Sequence, residues 1–65
     1  MLFEELDYGD RLVIETTDGI SYDGVFYGTN DAEDTWSGEN EVCVNVGQMS
    51  VAIPVSAIES LRKVT

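Results

Sequence analysis

Apolar and polar residues alternate in short bursts along most of this chain, with a period of two. In RLVIETT, residues 11 to 17, Leu12, Ile14 and Thr16 share one face of a strand while Arg11, Val13 and Glu15 share the other. Asp18-Gly19 follows, a pair that tolerates positive φ and so suits a tight hairpin turn. The chain then returns as ISYDGVFYGTN, with Tyr22, Gly24, Phe26 and Gly28 on one face and Ser21, Asp23, Val25 and Tyr27 opposite. A glycine inside a strand forfeits packing and costs entropy, so it marks a sharp bend or a close backbone approach. Gly24 is therefore expected at a barrel corner, and Gly28 at a second corner or at the strand's exit.

Residues 30 to 41, NDAEDTWSGENE, interrupt the pattern with a polar, acidic loop that contains Trp36. Alternation resumes in EVCVNVG, where Val42, Val44 and Val46 flank Cys43 and Asn45. Gly47-Gln48 is a turn candidate and MSVAIP the next strand. Pro54 has no N–H to give a ladder, so that strand ends there or lies on an edge. Ser56 to Glu59 spell Ser-x-x-Glu, a capping-box pattern for one helical or 3₁₀ turn, and SLRKV closes as a last short strand. At the start, Leu2, Phe3 and Leu6 have the spacing of a helical turn over residues 1 to 7, ended by Gly9 and Asp10. The expected fold is mainly β: a small five-stranded antiparallel barrel, closed or half-open, behind a short N-terminal helical turn. Residues 1–65 make one domain.

Composition narrows the setting. Hydrophobic residues are 43% of the chain, ordinary for a globular protein and too many for disorder. No apolar run reaches the roughly 18 residues of a membrane helix, so no membrane partner is expected. The acidic opening MLFEELDYGD does not read as a secretory signal. One cysteine excludes an internal disulfide, and a cytoplasmic location follows as the default. Thirteen Asp and Glu stand against three Lys and Arg, for a net charge of −10, and they recur through both halves of the chain. Self-repulsion of that size destabilises a small compact domain unless salt screens it. At molar salt the screening length falls to about 3 Å. A halophilic source is the expectation.

Candidate chemistry is sparse. Histidine, the commonest general base and metal ligand, is missing. Cys43 has no histidine partner and sits in a strand pattern, where it reads as a small β residue rather than a nucleophile. The glycines do not form a phosphate-binding signature. Asp31, Glu33, Asp34, Glu39 and Glu41 lack the alternating ligands and turn glycine of a calcium loop. No catalytic residue, metal or cofactor is expected, and the chain reads as non-enzymatic. Trp36 has two readings: a cover for the end of a small core, or an exposed aromatic that stacks a base or anchors a partner.

The segment Gly9-Asp10-Arg11-Leu12-Val13-Ile14-Glu15-Thr16-Thr17-Asp18-Gly19, followed by Tyr22-Asp23-Gly24-Val25-Phe26-Tyr27-Gly28, resembles the first motif of the Sm-like family. That motif likewise alternates apolar residues into an Asp-Gly turn, then places an aromatic, a bend glycine and an apolar residue two apart. The resemblance covers residues 9 to 30, about a third of the chain. It implies an SH3-like barrel behind an N-terminal helix, and association with single-stranded RNA. The family grips bases with an Asp-x-aromatic-x-Asn loop and an Arg-Gly pair. Here the loop begins Asn30-Asp31-Ala32-Glu33-Asp34, and Ile53-Pro54-Val55 stands where the pair would be. Candidate contacts are accordingly Asn30, Asp34, Trp36 and Asn40. Arg11, Arg62 and Lys63 are too few for a phosphate-tracking groove. The alternative to an RNA-associated module is a protein-interaction or assembly module without nucleic acid. Self-assembly would use the edge around residues 49 to 53, with a monomer as the other outcome.

Overall fold

The computed structural model describes residues 6–64, and their backbone follows the period-two pattern. Five strands form: β1 (Arg11–Thr16), β2 (Ser21–Asn30), β3 (Glu41–Val46), β4 (Met49–Pro54) and β5 (Ile58–Lys63). All pairings are antiparallel, in one sheet of order β4-β3-β2-β1-β5. Among the described residues, two 3₁₀ turns, Ala32–Asp34 and Val55–Ala57, complete the secondary structure, and no α-helix is present. The helical turn expected over residues 1 to 7 falls almost wholly outside the described residues. Leu6 and Asp7 are described and are not helical; they lead into a turn closed by the Asp10 N–H donating to Asp7 O at 3.0 Å.

The sheet is open, which corrects the expectation of barrel closure. β4 and β5 are its two outer strands and do not pair. The cause lies at Pro54, which ends β4 without an N–H, and in the 3₁₀ turn that carries the chain away before β5 begins. A single backbone bond links the hairpin to this turn, from Thr17 N–H to Ala57 O at 2.9 Å. The capping box expected over residues 56 to 59 is not formed. The turn has Pro54 at its N-cap and no side-chain cap, and Ser56 is engaged elsewhere.

Alternation sorts the side chains onto two faces. Leu12, Ile14, Phe26, Val42, Val44 and Ile53 make the buried core, with Tyr22, Val46, Val51, Ala57, Ile58 and Leu61 packed around them. Burying a side chain of this size contributes about 1.5–3 kcal/mol. Thr16 is the one buried polar residue among those described, and its hydroxyl bonds to the Asp18 carboxylate and, at 3.1 Å, to Ile20 O.

Two glycines in β2 meet local demands of its pairing with β3. A Cβ on Gly24 would lie 2.6 Å from Asn45 O, closer than a side chain tolerates, so the approach of β3 to β2 there depends on glycine. Between Phe26 and Gly28 the register with β3 shifts by one residue, leaving Tyr27 as the extra residue of a bulge; Gly28 has φ +148°. Among the described residues, no helix is long and apolar enough to cross a membrane.

Candidate functional site

Hydrogen bonds, rather than burial, give the β2–β3 loop its shape. After Asn30 the chain makes the 3₁₀ turn, with Asp34 N–H donating to Asp31 O at 2.9 Å. Asn40 Oδ1 accepts the Ala32 N–H at 2.9 Å, tying the two limbs together. The Thr35 hydroxyl lies 2.8 Å from Glu39 O and 3.1 Å from Ala32 O. Glu41 accepts from Asn30 Nδ2 at 3.2 Å and from the Ser37 hydroxyl at 3.1 Å. Gly38 supplies the positive φ, +75°, of the returning bend.

A clamp joins this loop to the turn between β4 and β5. Glu39 accepts the Ser56 N–H at 2.9 Å and the Ser56 hydroxyl at 2.7 Å, and Asn40 O accepts the Val55 N–H at 3.0 Å. The Ser56 hydroxyl and backbone amide hold the Glu39 carboxyl below its ordinary pKa.

Trp36 stands between two residues held in this network, Thr35 and Ser37, and is fully exposed at 107% of its reference area. The indole does not fold back over the core. Asn30 and Asn40 each have one end of the amide engaged in holding the loop, and Asp34 is exposed on the 3₁₀ turn. Of the four candidate residues, Asn30 and Asn40 are tied into the loop, while Asp34 and Trp36 present their side chains outward with no hydrogen bond among the described residues.

The electrostatic setting is acidic. Asp31, Glu33 and Asp34 are exposed in the same loop as Trp36, while the three cations belong to β1 and β5. Arg11 pairs with Asp23 at 2.8 Å and Lys63 with Asp10 at 3.3 Å. The bond from Arg11 lowers the Asp23 pKa; Asp10 is lowered chiefly by the Asp7 N–H. No three His, Cys, Asp or Glu side chains gather as a metal site among the described residues. Cys43 is buried, and that burial, reinforced by Glu41, raises its thiol pKa against an opposing bond from Tyr27. A raised pKa leaves little thiolate at neutral pH.

Three features lie beyond the sequence-based expectations. The Glu39–Ser56 clamp joins residues far apart in the chain. Tyr8 is 80% exposed with its ring 5.9 Å from that of Phe26. A cleft of about 230 Å³ opens between the β1–β2 turn and β4, lined by residues including Asp18, Tyr22, Val51, Ile53 and Ala57. Compared with protein-family models, with curated proteins and with solved structures, the chain matches none.

Proposed function

We propose that this chain is a non-enzymatic protein-interaction module whose anchor is Trp36. The observation that carries the reading is an indole held fully in solvent by a loop whose hydrogen bonds make no use of it. Tryptophan is among the residues that contribute most at protein interfaces, because its large apolar face and single N–H are both satisfied on docking. The exposed carboxylates of Asp31, Glu33 and Asp34 in the same loop favour a basic partner. A homo-oligomer joined along the outer edge of β4 is compatible with this module, and light scattering in molar KCl distinguishes it from a monomer.

The same exposed indole supports a second reading, in which the chain is an Sm-like barrel variant and single-stranded RNA stacks on Trp36. The motif over residues 9 to 30 favours it, and molar salt would relieve the repulsion between phosphates and the acidic loop. The engagement of Asn30 and Asn40 within the loop weighs toward protein instead.

Trp36 fluorescence in molar KCl decides between the two. Basic peptides of varied sequence are expected to change its emission, and in Trp36→Ala, which lacks the fluorophore and is titrated by calorimetry, affinity is expected to fall about thirtyfold, the size of an interface hot spot. Single-stranded oligonucleotides of every composition are expected to leave it unchanged. Quenching by RNA with silence toward peptides would move the assignment to the second reading.

A further inference from the structure

We propose that the cleft between the β1–β2 turn and β4 receives one lysine side chain of the protein partner. This rests on reading the chain as a protein-interaction module and adds a second contact of defined chemistry. The cleft has two kinds of wall. Val51, Ile53, Pro54, Ala57 and the ring of Tyr22 supply apolar groups, while Thr17 and Asp18 supply polar ones. Its volume of about 230 Å³ is below the roughly 300–1,000 Å³ of sites for drug-sized molecules, and suits a single side chain.

Charge selects the occupant. A purely apolar group would lie along Val51 and Ile53 but would strip water from the Asp18 carboxylate without replacing it. A group with an aliphatic stem and a cationic head meets both walls at once. The head is an ammonium rather than a guanidinium. One oxygen of Asp18 already takes the Thr16 hydroxyl, which disfavours a two-pronged fork and leaves a place for a point charge.

Position joins the cleft to the Trp36 loop. Pro54 and Ala57 line the cleft, and the residues between them, Val55 and Ser56, hold Asn40 and Glu39 of the loop. One short turn therefore forms a wall of the cleft and the support of the indole.

Amide and indole NMR of the full chain, at a KCl concentration that keeps it folded, tests the cleft with two probes of equal length, n-pentylammonium and n-pentanol. Pentylammonium is expected to shift the amides of Thr17, Asp18, Tyr22, Val51 and Ala57 and to leave the Trp36 indole N–H in place. Asp18→Asn keeps an Asn-Gly turn and is expected to weaken pentylammonium about fivefold or more while pentanol is unaffected. Ala57→Leu, which fills the cleft, is expected to exclude both probes. Trp36→Ala is expected to change neither titration, so this result and the peptide experiment succeed or fail separately. Equal affinity for the two probes, shifts confined to other residues, or no shifts at all would overturn the proposal.

Discussion

The inner face of the sheet and the β2–β3 loop are held together by different forces. Six core residues on the inner face, with Leu12, Ile14, Val42 and Val44 fully out of solvent, are stabilised by loss of apolar contact with water. The loop buries none of its residues and relies on bonds of 2.7 to 3.3 Å among exposed or half-buried groups. Bonds of this kind contribute about 0.5–1.5 kcal/mol net, less than one buried aliphatic side chain. The contrast teaches that the stability of the sheet and the shape of the loop have separate sources, so that one can be perturbed with little effect on the other.

The sharpest way to break that comparison is a core truncation. Ile14→Ala is expected to cost about 2–5 kcal/mol in urea unfolding, a large share of what so small a domain has. A loss below about 1 kcal/mol would mean that the inner face does not dominate stability. Gly24→Ala comes next, at about 1–3 kcal/mol, because its new Cβ would meet Asn45 O at 2.6 Å. A neutral result would show that β2 and β3 can part there at no cost.

Glu39 probes the loop's attachment through pH. Its folded-state pKa is lowered by Ser56, so its contribution is complete above the unfolded carboxyl's pKa and is lost as pH falls through the lower, folded value. Protonation of the other surface acids relieves repulsion and acts in the opposite direction. The expected signature is therefore a difference: wild type loses stability relative to Glu39→Gln on acidification below about pH 5. Parallel pH profiles would mean that the clamp to Ser56 does not form in solution. The smallest effect belongs to Trp36→Ala, which should change unfolding free energy by no more than about 0.5 kcal/mol. A loss above about 1 kcal/mol would place the indole against the core and remove the distinction between the two regions.

Strands were legible because the period-two signal is local and β-branched residues dominate it. β1 was expected over residues 11 to 17 and ends at Thr16; β4 was expected to stop at Pro54 or to lie on an edge, and it does both. β5 begins at Ile58, two residues before the expected start, because Ser-x-x-Glu read as a cap. Ser56 instead serves Glu39, 17 residues earlier, a partnership that no local motif announces. The open sheet was missed for a related reason. Short strands and bend glycines are compatible with closure, but closure depends on how β4 hands over to β5, and Pro54 with the turn after it keeps them apart. Within the loop, residue types were informative and partners were not. An asparagine suited to a base edge looks the same in sequence as one that accepts the Ala32 N–H. The cleft had no sequence signature, since the β1–β2 hairpin, β4 and the following turn each supply part of it.

The position of β1 also sets the order in which the chain can fold. Its two neighbours lie at very different sequence distances: β2 follows directly after a tight turn, whereas β5 is the last of the described strands. Hairpins such as β1–β2 and β3–β4 close in about 1–10 μs, but β1–β5 pairing must first gather nearly all the intervening chain. Non-local pairing of this kind slows folding. During synthesis, the β1 edge that Leu61 and Arg62 will cover stays open until those residues leave the ribosome, with Ile14 beside the gap. The final strand therefore acts as the latch of the domain, and a nascent chain lacking it exposes a sticky edge from its first strand onward.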